Sequence, residues 1–117
     1  MNEDYGWLTV RAQTAGAYPV EGALVKIRGA EENNSDIVFS LITDKDGLTD
    51  KIRLPTPPIG LSQYPGAGEL PYSVYDLEII ADGYIPKRIY GLTVFPKTGS
   101  IQIIGLVPEE ITQTDRR

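Results

Sequence analysis

Two carboxylates in this sequence have a spacing that could support acid–base chemistry. Asp76 and Glu78 are two positions apart, which places both side chains on one face of a strand. Glycoside hydrolysis needs two acids about 5–10 Å apart that face a cleft. A solvated strand face on a chain of net charge −5 has the same appearance. We therefore predict that the protein is not an enzyme and has no catalytic residue.

Histidine and cysteine are both absent from the 117 residues. Their absence excludes Ser–His–Asp catalysis, histidine-ligated metals, disulfides, thiolate nucleophiles and iron–sulfur clusters. Asp44, Asp46 and Asp50 carry the oxygen ligands that calcium prefers. Leu48, however, occupies the next alternate position, and no Glu closes a twelve-residue loop. We expect a turn at this point, and we predict neither a metal site nor a cofactor.

The charge balance and the hydropathy restrict the partners. The chain has 16 acidic and 11 basic residues without a basic run, which argues against a nucleic-acid partner. No apolar run approaches the roughly 20 residues of a membrane span. The acidic, polar start at residues 1–4 is the reverse of a secretory signal peptide. We expect cytoplasmic synthesis, so a location on a spore or cell surface would have to be reached without a signal peptide.

Aromatic side chains are the strongest candidates for binding. The predicted strands do not need all of Trp7, Tyr18, Tyr64, Tyr72 and Tyr90 for their cores. Flat rings on a polar surface can stack on sugar faces or anchor a protein partner. They can also cap the ends of a sandwich or clamp a long loop. These three interpretations remain open.

Alternation of apolar and polar residues predicts that strands position these side chains. Leu8, Val10 and Ala12 share one strand face, for example, and no window of eleven residues shows a helical stripe. The predicted strands are 7–13, 23–28, 37–43, 51–54, 75–81, 85–90, 92–95 and 100–107. Seven or eight short strands at this spacing indicate an all-β, antiparallel sandwich.

The distribution of proline and glycine residues predicts how the chain is divided into a domain, a loop and two tails. A segment rich in proline and glycine, 55–73, forms one long loop. The rest of 7–107 is a single β-sandwich domain, with an N-terminal tail at 1–6 and a C-terminal tail at 108–117.

Turn chemistry and one tyrosine complete the prediction of fold residues. Asp44 and Gly47 suit a tight turn, and Gly22 and Gly83 suit positions that a Cβ would strain. Tyr84 is expected to bury its ring and to donate its hydroxyl to a backbone carbonyl, as in a tyrosine corner.

Three motifs, in chain order, resemble those of carboxypeptidase regulatory-like domains. PVEGALV at 19–25 is similar to their P-V-x-G-A-x-V segment, which leads into the second strand. TDKDGLT at 43–49 is similar to their T-D-x-x-G-x-T turn, and YDLEIIADGY at 75–84 to their Y-x-L-x-I-x-A-x-G-Y strand and turn. The resemblance covers most of 7–107. It implies a transthyretin-like (prealbumin-like) Greek-key sandwich of about seven strands.

A narrower resemblance bears on function. Segments 54–58, 71–72, 94–96 and 100–102 are similar to a version of this domain in spore-forming Firmicutes, which occurs alone or attached to peptidoglycan-binding modules. Such domains are mostly non-catalytic structural, adhesive or accessory units. The resemblance implies a structural or interaction module.

We expect this module to associate with copies of itself or with other protein subunits. Its tails and edge strands would form the contacts of a filament or surface layer. The alternative is a cell-wall or carbohydrate-binding accessory domain with peptidoglycan or another glycan as its partner.

Overall fold

The computed structural model describes residues 4–57 and 72–109, apart from the side chain of Asn33. The described residues form seven strands and one short 3₁₀ helix, Glu32–Asn34. The strands are β1 Asp4–Gln13, β2 Leu24–Gly29, β3 Val38–Ile42, β4 Ile52–Thr56, β5 Ser73–Ile80, β6 Lys87–Val94 and β7 Gly99–Gly105. The predicted all-β class is confirmed.

Two sheets form the sandwich, in the strand orders β4-β1-β7 and β3-β2-β5-β6. Neighbouring strands are antiparallel except β1 and β7, which run parallel from Trp7 opposite Gly99 to Gln13 opposite Gly105. The sandwich prediction is confirmed, and the antiparallel prediction is corrected for this one pair. The whole of the four-stranded sheet separates β1 from β7 along the chain, so no hairpin forces them to be antiparallel.

The core lies between the two sheets and follows the predicted alternation. On β1 the even-numbered residues from Gly6 to Ala12 are buried and the odd-numbered ones partly exposed. On β2, and on β5 from Tyr75 onward, the odd-numbered residues are buried. The inward side chains of these three strands are Leu8, Val10, Ala12, Val25, Ile27, Tyr75, Leu77 and Ile79. Burial of each larger aliphatic side chain contributes about 1.5–3 kcal/mol to stability.

The fold extends into both predicted tails. β1 begins at Asp4, which pairs with Thr56, rather than at Trp7. At the other end, Pro108 bridges to Tyr84, and the amide of Glu109 donates to the carbonyl of Gly83 at 2.9 Å. Backbone pairing, which polarity does not reveal, orders these residues. The rest of the tails, 1–3 and 110–117, lies outside the described residues.

The predicted long loop 55–73 is shorter at both ends. Pro55 and Thr56 belong to β4, and Ser73 begins β5. β4 is an edge strand of its sheet, where a proline costs no ladder hydrogen bond. The central part of the loop, 58–71, lies outside the described residues.

The predicted strands 85–90 and 92–95 are one strand, β6, with a bulge. Asp76 on β5 lies opposite both Tyr90 and Gly91, so the register shifts by one residue. Gly91 has a φ of +76°, and its amide donates to Oδ1 of Asp76 at 3.1 Å. The glycine therefore marks a bulge within a strand and not a turn between two strands.

The chain crosses between the sheets through the TDKDGLT segment, 43–49. Thr43 is buried, and its Oγ1 donates to the carbonyl of Val20 at 2.7 Å and accepts from the amide of Ala23 at 2.9 Å. Thr49 is also buried, and its Oγ1 accepts from the amide of Val10 at 3.0 Å. Because both hydroxyls satisfy buried backbone groups, the two threonines anchor the crossing at its ends.

The buried tyrosine that donates its hydroxyl to a backbone carbonyl is Tyr75, and not Tyr84 as the sequence predicted. The ring of Tyr84 packs against the core while partly exposed, and its hydroxyl makes no hydrogen bond to a described residue. The fully buried Tyr75 instead donates its hydroxyl to the carbonyl of Pro55 at 2.8 Å. Tyr75 lies on the inward face of β5 and can reach across to β4, whereas Tyr84 lies outside the strands.

No helix in the described part of the chain has the length and apolar character that crossing a membrane requires.

Replacing Gly47 with alanine tests the close approach of Gly47 to the backbone of Ala12, at the crossing between the sheets. Gly47 has a φ of +76°, which costs other residues about 1–2 kcal/mol. An added Cβ would also lie 2.5 Å from the carbonyl oxygen of Ala12. We expect Gly47→Ala to lower the free energy of unfolding by more than about 2 kcal/mol in urea denaturation.

Gly83→Ala is the matched control. Gly83 has a φ of +83°, but an added Cβ meets nothing within 4 Å. This variant should lose only about 1–2 kcal/mol. Equal losses in the two variants would show that the contact with Ala12 is unimportant.

Removing the hydroxyl of Tyr75 tests the link between the sheets. Tyr75→Phe leaves the Pro55 carbonyl without this donor, and we expect a loss of about 0.5–1.5 kcal/mol in the free energy of unfolding. Tyr84→Phe removes a hydroxyl that has no hydrogen-bond partner among the described residues, and it should be nearly neutral. A larger loss for Tyr84→Phe than for Tyr75→Phe would contradict the assignment.

Candidate functional site

Hydrogen bonds to backbone groups account for the conformation of the acidic turn at 44–47. Oδ1 of Asp44 accepts from the amides of Asp46 at 2.8 Å and Leu48 at 3.1 Å, and the amide of Gly47 donates to the Asp44 carbonyl at 2.8 Å. These amide hydrogen bonds, that of Leu48 first, lower the pKa of Asp44 below its ordinary value of 3.8. Within 4–57 and 72–109, no three acidic side chains are grouped so that they could hold a metal ion.

The predicted aromatic binding residues do not form one platform. Trp7 is half-buried on the outward face of β1, in the three-stranded sheet. Tyr90 is 71% exposed on β6, in the other sheet, and Tyr18 is exposed in the connection between β1 and β2. Tyr64 lies outside the described residues. The structure thus leaves Tyr18 and Tyr90 exposed on separate parts of the sandwich.

Tyr72 packs against another ring beside β5. Its ring contacts that of Phe95 edge to face, with centroids 5.3 Å apart and planes at 61°. Phe95 follows β6 directly, so the contact holds the start of β5 beside the end of β6. This geometry supports the clamping interpretation for Tyr72.

The outward side of the four-stranded sheet carries a charged depression of about 270 Å³. We call it the charged face and define it by Lys26, Arg28, Asp76, Glu78, Arg88 and Tyr90. Register creates its pattern: Lys26 lies opposite Glu78, and Arg28 lies opposite Asp76. Glu78 in turn lies opposite Arg88 on β6. Cationic and anionic strands therefore alternate across the sheet.

The carboxylates of the charged face are bound toward β6. Oε2 of Glu78 accepts from Nη2 of Arg88 at 3.0 Å and from Nε at 3.2 Å. This hydrogen-bonded pair raises the pKa of Arg88 above its ordinary value. Asp76 is bound to the Gly91 amide, also on β6. Lys26 and Arg28, on the other side of β5, make no ion pair with a described residue.

A second candidate surface, which the sequence analysis missed, lies along β7. We call it the β7 stripe and define it by Ile101, Ile103 and Val107. Ile101 is 64% exposed and Ile103 56% exposed, and Val107 continues the same outward alternation just past the strand. The sequence signal was present: 101–107 is apolar on both faces of the strand, although one of them faces solvent.

Beside Ile101 and Ile103, the backbone edge of β7 pairs with no described strand, whereas just past the strand the carbonyl of Val107 accepts from the amide of Ile85 at 2.9 Å. The amide of Leu106 donates to the carbonyl of Gln13 on β1, so even-numbered residues direct their backbone groups toward β1. By alternation, Ile101, Ile103 and Gly105 direct theirs toward the open edge. Nζ of Lys87 donates to the Gly105 carbonyl at 3.2 Å and covers one position of that edge.

The fold is similar to domains within larger proteins of known structure. A 3-chlorocatechol 1,2-dioxygenase from Rhodococcus opacus superposes with a TM-score of 0.61 at 12% identity, over 91% of this chain and 61% of that one. Hydroxyquinol 1,2-dioxygenase from Pseudomonas putida gives a TM-score of 0.62 at 13% identity, over 91% and 57%. The Bacillus anthracis TIE protein gives 0.58 at 15% identity, over 90% and 17%.

These likenesses show the fold alone, because the sequence identities are so low. The chain spans less than two thirds of each of these proteins, so their activities do not transfer to it. No protein-family model matches the chain, and no curated protein matches it by sequence. The all-β sandwich is therefore established, while the carboxypeptidase regulatory-like type stays a prediction from the three motifs.

The lowered pKa of Asp44 makes the crossing turn sensitive to acid. The charged carboxylate is favoured in the folded state, so its contribution is complete above about pH 5 and is lost as the pH falls through the lowered pKa. Asp44→Asn removes this charge. We expect the variant to melt below the wild type at neutral pH and the gap to close as the pH falls below 3.8.

The control for this measurement is Asp82→Asn, whose carboxylate accepts no hydrogen bond from a described residue. Thermal unfolding followed by circular dichroism from acid to neutral pH provides the comparison. A gap between wild type and Asp44→Asn that is independent of pH would contradict the role of the charge.

Proposed function

We propose that this domain is a non-enzymatic interaction module that associates with copies of itself through the open edge of β7. The carboxypeptidase regulatory-like resemblance and a role as a subunit of a filament or surface layer belong to the same proposal. The observation that carries it is the β7 stripe, where the exposed Ile101 and Ile103 adjoin backbone groups that pair with no described strand.

Both the backbone edge of β7 and the exposed isoleucines beside it favour pairing with a strand of another molecule. An edge strand presents donors and acceptors that another strand can pair with, and burial of an isoleucine contributes about 1.5–3 kcal/mol. The stripe itself carries no charge, so it places none of the acidic repulsion of a −5 chain at the contact.

A second copy of β7 is the occupant that we propose. The other edge of the same sheet, β4, contains Pro55, whose missing N–H makes that edge a poorer template. Two β7 edges can pair antiparallel about a two-fold axis, with each stripe covering the other. Growth beyond a pair would then use the predicted tails, whose outer parts lie outside the described residues.

The charged face is consistent with a non-enzymatic role. The acids considered for glycoside hydrolysis, Asp76 and Glu78, are bound to the Gly91 amide and to Arg88 respectively. Their contacts serve the β6 bulge and the cross-strand pair, and both would have to be given up for proton transfer to a substrate.

A second candidate function is a cell-wall or carbohydrate-binding accessory domain. One observation favours it: Tyr90 is 71% exposed and lines the depression on the charged face. A ring presented beside polar groups is suited to stacking on a sugar. Pull-down on peptidoglycan, with Tyr90→Ala as the variant, tests this function independently of self-association.

A charge placed on the β7 stripe should disrupt self-association. We expect wild-type protein to associate as its concentration is raised and Ile103→Lys to remain monomeric, because burial of the lysine in the contact would be costly. Sedimentation velocity over a concentration series measures the effect. We expect a shift of at least about tenfold in the dissociation constant.

Ile42→Lys is the matched control, since Ile42 is an equally exposed isoleucine on β3, an edge strand of the other sheet. It should associate like the wild type. Loss of association in Ile42→Lys alone would move the contact to β3. A wild type that stays monomeric at every concentration would overturn the proposal.

A further inference from the structure

We propose that the charged face binds an anionic saccharide, with Lys26 and Arg28 holding its charge and Tyr90 stacking on a sugar ring. This inference rests on the second candidate function and specifies its ligand. It concerns the sheet opposite the β7 stripe and is independent of self-association.

The charges on this face are unevenly paired. The register gives each β5 carboxylate a cationic neighbour on β2, namely Arg28 beside Asp76 and Lys26 beside Glu78. Both carboxylates are nevertheless bound to partners on β6. The two β2 cations are therefore left with their donors unused by any described carboxylate, at the border of a depression.

The distances between the two cations and Tyr90 also favour a saccharide. Lys26 and Arg28 are two residues apart on one strand face, which separates their Cα atoms by about 7 Å. Tyr90 lies on β6, two interstrand spacings from Arg28, or about 10 Å across the sheet. A ligand that uses both must carry its anionic group about one sugar unit away from the ring that stacks. This distance favours a disaccharide or longer oligosaccharide.

The side chains around the depression carry a net positive charge. The depression is lined by three cations, Lys26, Arg28 and Arg88, and by the anions Asp76 and Glu78, which leaves a net charge of +1. The chain as a whole carries −5. A locally positive concavity on an acidic protein selects for anionic ligands, and the planar fork of arginine suits both carboxylate and phosphate.

Titration of ¹⁵N-labelled protein by NMR tests the inference with defined probes. Trigalacturonate and trehalose 6-phosphate present the carboxylate and phosphate forms of an anionic saccharide, and maltotriose and trehalose are their neutral counterparts. Inorganic phosphate alone tests the charge without a sugar. We expect saturable shifts of the amides around residues 26–28 and 88–91 with at least one anionic saccharide, weakened by added NaCl, and much weaker binding of the neutral sugars.

Three variants separate the contributions. Arg28→Gln and Lys26→Gln should each weaken binding of the anionic saccharide by about tenfold, and Tyr90→Ala should do the same. Lys51→Gln is the matched control, because it removes one positive charge from an exposed position next to β4, in the other sheet. It should bind like the wild type. The amide spectrum of each variant reports whether it is folded.

The outcomes distinguish this inference from the function on which it rests. Binding of trigalacturonate alone or of trehalose 6-phosphate alone supports the inference and identifies the anionic group. Neutral sugars that bind as well as the charged ones, with Arg28→Gln unchanged, would overturn it and leave the carbohydrate-binding function in place. Binding of inorganic phosphate as tight as that of both saccharides would also overturn it. No shift with any probe would overturn the inference, and the carbohydrate-binding function would then depend on the peptidoglycan pull-down alone.

Discussion

The passage of the chain from one sheet to the other at residues 43–49 is the constraint on which the sandwich depends. Gly47 accepts a hydrogen bond from the amide of Ala12, and the carbonyl of Ala12 accepts one from Val20. Ala12, near the end of β1, is thus hydrogen-bonded both to the crossing segment and to the connection between β1 and β2. Gly47 lies so close to the carbonyl of Ala12 that a Cβ would not fit between them. Because β1 is the central strand of its sheet, this attachment also fixes where β4 and β7 can pair.

Register within the second sheet decides the chemistry of its outer face. β2, β5 and β6 are aligned so that each outward charge faces an opposite one on the next strand. The bulge at Gly91 disturbs this regularity at one point and gives Asp76 a backbone partner. The bulge thereby gives the carboxylate of Asp76 a partner other than Arg28, its neighbour on β2.

Alternation in the sequence was enough to predict the faces of β1, β2 and β5, and turn chemistry was enough to predict the roles of Asp44 and Gly47. Alternation shows which side chains share a face, but it does not show which strands are hydrogen-bonded neighbours. For this reason the parallel pairing of β7 with β1 was not predicted. It also fails across a bulge: Ile89 faces inward before Gly91, and Val94 faces inward after it, so one strand looked like two. The ion pair of Arg88 and the freedom of Arg28 depend on register, which a single sequence does not encode locally.

The parallel pairing of β1 and β7 has a mechanical consequence. The first described strand begins at the end of the sandwich opposite to that where the last one finishes, so the two ends of the described chain leave it in opposite directions. A pull between them is directed along both strands. The hydrogen bonds from Trp7–Gly99 to Gln13–Gly105 would then be loaded together in shear, and none could open before the others as in a zipper. A pull of this kind would have to break these hydrogen bonds together before β1 and β7 could separate.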